Sequence, residues 1–77
     1  MIIFIVVSPN NEKSIDISGS NITIRELKKK MFDKGLVETT EITLFFDGKL
    51  LEDDSTLEEN DISDKSFLIC VGKFGGK

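Results

Sequence analysis

The chain has 77 residues and a formal net charge of −4 at neutral pH. A chain of this length forms one domain that buries roughly 60–65% of its unfolded surface, which leaves little room for an enclosed active site. The negative charge argues against nucleic acid as the main partner, because that affinity comes largely from lysine and arginine on phosphates.

Cys70 is the single cysteine of the chain, which is typical of a protein in a reducing compartment. The apolar residues 1–7 are too few to span a membrane and lack the basic lead and cleavage-site pattern of a signal peptide. We therefore expect no membrane contact, and this segment is predicted to be a strand. No linker, repeat or low-complexity tract divides the chain.

The first predicted elements form a β-hairpin. Residues 2–7 and 14–18 are rich in β-branched side chains, and they flank the turn-forming residues 8–11. In the second run Ile15 and Ile17 alternate with polar residues, which predicts a strand with one buried face.

A helix is predicted over residues 23–34. Thr23 and Glu26 form a capping-box pattern at its start, and Gly35 can adopt the left-handed conformation that ends it. The apolar residues that recur at helical spacing are Ile24, Leu27 and Met31. The three lysines at 28–30 are predicted to be a solvated face of this helix, with contact to an acidic partner as the alternative.

The second half is predicted to contain a strand at residues 41–46, a tight Asp47-Gly48 turn and a short strand at 49–51. If Ile42 and Leu44 face the helix, alternation makes Phe45 an exposed aromatic residue on the outer side. A second capping-box pattern, from Thr56 to Glu59, predicts one short helical turn. Its core anchors are predicted to be Leu57 and Ile62.

The last predicted strand, residues 66–71, is apolar on both faces. Alternation places Leu68 and Cys70 inside, and the residues outside are Phe67, Ile69 and Val71. A sheet covered by one helix normally has a polar outer face, so this pattern predicts a surface that a partner covers. Ile2, Phe4 and Val6 form a second candidate surface, for which support of neighbouring strands is the favoured interpretation.

Nothing in the sequence favours an enzyme. The chain has no histidine, and its acidic clusters at residues 52–54 and 58–61 lack a phosphate cradle, a nucleophile arrangement or the spacing of a calcium loop. Cys70 faces inward without a neighbouring base in the sequence and should be inert. We predict no catalytic residue, no cofactor and no metal ligand.

Several segments in order resemble the ubiquitin family: the start at residues 1–5, the helix, residues 44–53, Thr56-Leu57 and Asp61-Ile62. The resemblance implies an α+β fold, the ubiquitin-like β-grasp, with a mixed sheet of four to five strands packed on one helix. It also implies an outer hydrophobic patch for recognition. Carried over by position, the partner-binding residues are Phe45, Gly48, Lys49, Ile69 and Val71.

The carboxyl-terminal residues indicate which kind of ubiquitin-family member the chain resembles. Gly75-Gly76 is similar to the end of conjugated members, with Lys77 as an extension that a processing protease removes. The approach at residues 72–74 departs from the basic, leucine-rich pattern of those members, and Thr43 stands where a basic residue would help dock the activating enzyme.

Residues 62–71 are similar to the amino-terminal ubiquitin-like domain of nucleotide-excision-repair shuttle proteins. That resemblance implies a monomeric domain, residues 1–74, in the cytoplasm and nucleus, with a flexible tail at 75–77. Its implied partners are proteasome receptor subunits or ubiquitin-interacting-motif proteins. We expect this docking module ahead of the alternative, a conjugatable modifier precursor processed after Gly76.

Overall fold

A computed structural model describes residues 1–72 of the chain. In chain order its elements are β1 Ile2–Ser8, β2 Asn11–Asp16, α1 Ile24–Asp33, β3 Ile42–Phe46, β4 Lys49–Leu50, a 3-10 helix Glu58–Asn60 and β5 Ser66–Gly72. The strands form one five-stranded sheet in the order β2-β1-β5-β3-β4. β1 and β5 are parallel and the other pairs are antiparallel, so the predicted mixed sheet packed on one helix is confirmed.

The core lies between helix α1 and the inner face of the sheet. Helix α1 contributes Ile24, Leu27 and Met31, all fully buried, because residues three and four positions apart lie on one side of a helix. The strands contribute inner residues from alternate positions, among them Ile3, Ile5, Leu44 and Leu68. The predicted anchors Leu57 and Ile62 are also buried in this core.

Both predicted capping boxes are present. Thr23 Oγ1 accepts a hydrogen bond of 3.1 Å from Glu26 N, and Thr23 N donates to Glu26 Oε1 at 2.8 Å. Thr56 and Glu59 make the same two bonds at the 3-10 helix. Helix α1 is one residue shorter at each end than predicted, because Thr23 and Lys34 are its caps, and Gly35 follows with φ +75°.

Strand β2 starts earlier and ends earlier than predicted. The turn needs few residues, so pairing with β1 resumes at Asn11, opposite Ser8, with an irregularity in register between Val6 and Ser8. Ile17 lies beyond the end of β2, yet it remains buried, and its backbone N donates to Met1 O at 2.8 Å. The predicted buried face of this segment is therefore correct although its boundaries are not.

The prediction of a solvated lysine face on helix α1 is wrong for one of the three lysines. Lys28 is only 9% exposed. Its Nζ lies 2.6 Å from Asp53 Oδ1 in the segment after β4. Lys29 and Lys30 are exposed as expected. Burial of Lys28 is tolerated because its ammonium has a carboxylate partner.

Within residues 1–72 no helix is both long and apolar enough to cross a bilayer. The predicted boundary between a domain at 1–74 and a tail at 75–77 lies outside the described residues, as do Gly75, Gly76 and Lys77.

Candidate protein-docking surface

Strand β5 lies at the centre of the sheet and has the two-sided apolar pattern that the sequence indicates. Its inner residues Leu68 and Cys70 are buried, as predicted. Its outer residues Phe67, Ile69 and Val71 are 53%, 52% and 53% exposed. Helix α1 covers the inner face, so these three side chains project from the side of the sheet that the helix leaves open.

Phe45 lies beside them on strand β3. Its predicted outward direction is correct, but the prediction that it is exposed is wrong, because its side chain is partly buried. Phe45 pairs with Ile69 on one side and with Leu50 on the other. Residues directly opposite on neighbouring strands point to the same face with Cβ atoms about 4.5–5.5 Å apart, so both neighbours flank the Phe45 ring.

Leu50 belongs to this surface although the sequence interpretation missed it. It is 54% exposed and faces outward with its cross-strand partner Phe45. The missing signal was the register of β4, because alternation within a strand of two residues does not indicate which residue faces out. The tight turn before β4 could have supplied that register.

Gly48 and Lys49 lie at the rim of the surface. Gly48 has φ +76° and follows Asp47 at φ 55°, the left-handed pair that a two-residue hairpin turn requires. Lys49 is exposed and pairs with Phe46. Its side chain therefore leaves the backbone of edge strand β4 on the side opposite to that of Leu50. Within residues 1–72 no ion pair involves Lys49, so its charge is available to a partner.

The second candidate surface, on β1, is continuous with the first. Phe4 pairs with Phe67 and Val6 pairs with Ile69 in the parallel β1–β5 ladder. The Phe4 and Phe67 rings are stacked, with centroids 4.8 Å apart and planes 23° apart. We define the outer apolar face as Phe4, Val6, Phe45, Leu50, Phe67, Ile69 and Val71. These contacts with the neighbouring strand agree with the favoured interpretation of the β1 residues, and they also join the two candidate surfaces.

Cys70 lies on the inner side of β5, away from the outer apolar face. Burial raises the pKa of its thiol above its ordinary value, and the charge of Lys28 opposes this rise. A raised pKa lowers the thiolate fraction at neutral pH, and the thiolate is the nucleophilic form. The environment of Cys70 is therefore that of a packing residue.

An open groove of about 610 Å³ lies between the β1–β2 hairpin and the segment after helix α1. Its lining includes Val7, Lys13, Leu36 and Glu38, and it shares no residue with the outer apolar face. No group of three or more potential metal-ligating side chains forms in the part of the chain that the structure describes.

Comparison with known proteins identifies the family. A search of curated proteins finds no match. The model of the ubiquitin family matches residues 3–75, nearly the whole chain. This match agrees with the mixed five-stranded sheet packed on one helix. The chain therefore belongs to the ubiquitin family, whose small domains generally mediate protein–protein contacts in the ubiquitin pathway and are typically non-catalytic.

Proposed function

We propose that this chain is a non-catalytic docking module that binds proteasome receptor subunits or ubiquitin-interacting helices through its outer apolar face. The observation that carries the proposal is the exposure of Ile69, Val71, Phe67 and Leu50 on one side of the sheet, each at least 52% exposed. Scattered single hydrophobic residues are normal on a surface, whereas a contiguous group marks a binding site.

Phe45 and Ile69 form the centre of the proposed contact because they are direct cross-strand neighbours. Central apolar anchors that become fully desolvated carry most of the binding energy, and truncating one typically costs about 2 kcal/mol or more. Lys49, at the rim with Gly48, would attract acidic groups on the partner and contribute less at high salt.

The similarity of residues 62–71 to the shuttle-type domain supports placing this module in a monomeric protein of the cytoplasm and nucleus. In that setting the rest of a longer protein holds ubiquitylated cargo while this domain docks on the proteasome. The net charge of −4 supports a protein partner rather than nucleic acid.

Calorimetric titration with recombinant proteasome ubiquitin-receptor subunits and with ubiquitin-interacting-motif peptides tests the proposal. We expect Phe45→Ala and Ile69→Ser each to weaken binding at least about 30-fold, since about 2 kcal/mol corresponds to that factor. Phe32→Ala is the matched control, because Phe32 is an aromatic residue 45% exposed on helix α1. Equal losses in all three variants would contradict docking through the outer apolar face.

The alternative function is a conjugatable modifier precursor, which the sequence Gly75-Gly76-Lys77 favours. An activating enzyme from the same source, supplied with ATP, would then form a thioester on a chain ending at Gly76. The form that retains Lys77 would not react. A thioester on the Gly76 form alone would replace the docking proposal, and the absence of a thioester on both forms would remove the alternative.

A further inference from the structure

We propose that the Asp47-Gly48 turn is a site of spontaneous isoaspartate formation, and that this change removes Leu50 from the outer apolar face. The removal of Leu50 affects binding only if that face is the docking surface, so this part of the inference rests on the proposed function. The chemical step itself does not depend on it.

Isoaspartate forms when the backbone nitrogen after an aspartate attacks the side-chain carboxyl group. In this turn a bond forms between Gly48 N and Asp47 Cγ, and the carboxyl hydroxyl leaves as water with the amide proton. The product is a five-membered cyclic imide. Water then adds to one of its two carbonyl groups. Addition on the Cα side breaks the original peptide bond and leaves Gly48 linked through the side chain of residue 47.

The residue after Asp47 favours this attack. Asp47 is the only aspartate of the chain that is followed by glycine. Glycine has no Cβ to hinder the approach of its nitrogen to the carboxyl group. Both residues of the turn are exposed, so water reaches the imide. The Asp47 carboxylate makes no ion pair within residues 1–72.

Backbone hydrogen bonds also distinguish Asp47 from the other aspartates. Within the described part of the chain Gly48 N donates no backbone hydrogen bond. The nitrogens that follow five other aspartates all donate backbone hydrogen bonds of 2.6–3.1 Å, and they belong to Ile17, Lys34, Ser55, Ile62 and Lys65. The remaining aspartate, Asp53, has its carboxylate 2.6 Å from Lys28 Nζ. The nucleophile is therefore free of a competing bond at Asp47 and engaged at these five sites.

Ring closure requires the hairpin turn to open briefly, because the nitrogen must rotate toward Cγ and the tight turn opposes this rotation. Opening costs little here. Strand β4 is an edge strand that pairs only with β3, through two residue pairs, and residues 47–50 are all exposed. Segments with few buried contacts open at the lowest free energy. The buried Leu51, whose N donates to Leu44 O at 2.9 Å, limits the opening to this hairpin tip.

The isoaspartate form has one more carbon in its backbone between residue 47 and Gly48. A two-residue hairpin turn sets the register of its strands, so the longer path disrupts the pairs Phe46–Lys49 and Phe45–Leu50. Leu50 is 54% exposed, and its position beside Phe45 depends on this register. The outer apolar face therefore loses its β4 side chain, while the core behind it is kept.

The test ages the full chain at neutral pH and physiological temperature. Isoaspartate is mapped by mass spectrometry after digestion with endoproteinase Asp-N, which cleaves before aspartate but not before isoaspartate. We expect it at residue 47 of the wild type and at no other aspartate. Asp47→Asn should form it faster, because an amide loses ammonia more readily than a carboxyl group loses water. Asp47→Gly is the matched control, since Gly-Gly fits the left-handed turn and has no side chain to cyclise.

Anion-exchange chromatography separates the aged wild type into two forms for titration with the receptor subunits. We expect the isoaspartate form to bind about 10-fold more weakly than the unaged chain. Asp47→Gly should bind as the unaged chain does. A protein isoaspartate methyltransferase with S-adenosylmethionine should restore binding, because it methylates the freed α-carboxyl group and loss of methanol re-forms the cyclic imide.

The outcomes separate the chemical step from docking. Absence of isoaspartate in both the wild type and Asp47→Asn overturns the inference, because the turn then holds Gly48 N out of reach. Equal formation at another aspartate also overturns it. An isoaspartate form that binds as tightly as the unaged chain overturns the consequence for Leu50 and retains docking. Failure of the unaged chain to bind any receptor overturns the proposed function, while isoaspartate at residue 47 alone still supports the modification site.

Discussion

At the scale of single residues, Lys28 shows a buried charge whose partner comes from a distant part of the chain. Its Nζ lies 2.6 Å from Asp53 Oδ1, and the side chains are 11% and 46% exposed. Lys29, its neighbour on helix α1, instead pairs across one helical turn with Asp33, and both side chains are largely exposed. The Lys28–Asp53 pair is therefore shielded from solvent and salt more than the Lys29–Asp33 pair is.

We expect Lys28→Met to lower the free energy of unfolding by about 1–2 kcal/mol, because Asp53 loses a charged hydrogen-bond partner while the apolar stem is kept. Lys29→Met should cost no more than about 0.5 kcal/mol, as exposed pairs one turn apart do. Urea denaturation followed by circular dichroism measures both. Equal losses would mean that burial adds nothing to the Lys28–Asp53 pair.

Cys70 gives a prediction about pH. Burial raises the pKa of its thiol in the folded state, so the folded protein holds this proton more tightly than the unfolded chain. The contribution to stability is fully present below the unfolded pKa of about 8.5 and is lost as pH rises through the folded value. Stability should therefore fall above about pH 8.5, and the fall should be shallower in Cys70→Ala. Parallel pH profiles of the urea midpoint would contradict this.

The sequence predicts the directions of Leu68, Cys70, Ile69 and Val71 correctly because alternation along a strand is a local property. It does not predict the burial of Lys28, since Asp53 is distant in sequence and the contact exists only once the segment after β4 packs on helix α1. The inward or outward direction of a side chain is local, whereas the identity of its neighbour depends on tertiary structure.

At the scale of elements, helix α1 depends on its amino-terminal cap. The helix Ile24–Asp33 has 10 residues, too few for an isolated helix to be stable in water, so capping and core packing stabilise it. Thr23 satisfies Glu26 N, and it also pairs with Thr56 in an isolated bridge. The cap thus lies where the helix joins the segment before the 3-10 helix.

Thr23→Ala should destabilise the protein by about 1 kcal/mol, because Glu26 N loses its acceptor at the helix start. Thr23→Ser is the matched variant that keeps the hydroxyl, and it should retain most of the stability. The urea midpoint of each variant tests this. A similar loss in Thr23→Ser would assign the effect to the lost methyl group and not to the cap.

The neighbour relations of strands mark the limit of sequence interpretation at this scale. Each strand was predicted within a few residues, and the Asp47-Gly48 turn was predicted to be tight. The adjacency of β1 and β5 is a long-range pairing, and it alone stacks Phe4 on Phe67. Two surfaces that are separate in the sequence therefore form one outer apolar face.

At the scale of the whole molecule, the two faces of the sheet both carry apolar side chains, but these side chains have different roles. The inner face forms the core with helix α1, and the outer face remains open to solvent within the described residues. Leu68 and Ile69 are adjacent on β5 and face opposite sides, with Leu68 fully buried and Ile69 about half exposed. Their contributions to folding should differ accordingly.

We expect Leu68→Ala to cost about 2–5 kcal/mol, because it removes buried methyl groups and leaves a cavity in the core. Ile69→Ala should cost less than about 1 kcal/mol, since much of its side chain is solvated in the folded state. Thermal and urea unfolding of both variants provide the measurement. A large loss from Ile69→Ala would show that the outer side chain is needed for folding, and its binding phenotype would then need a milder substitution.

Strand β5 is the middle strand of the sheet although it follows the other strands in the sequence. During synthesis, the hairpin β1–β2 and the pair β3–β4 leave the ribosome before the strand that joins them. Joining them requires contacts between distant parts of the chain, which form late and slowly. A growing chain therefore lacks the outer apolar face until Ser66–Gly72 has emerged, so a partner that binds this face would recognise the folded domain and not a chain that still lacks β5.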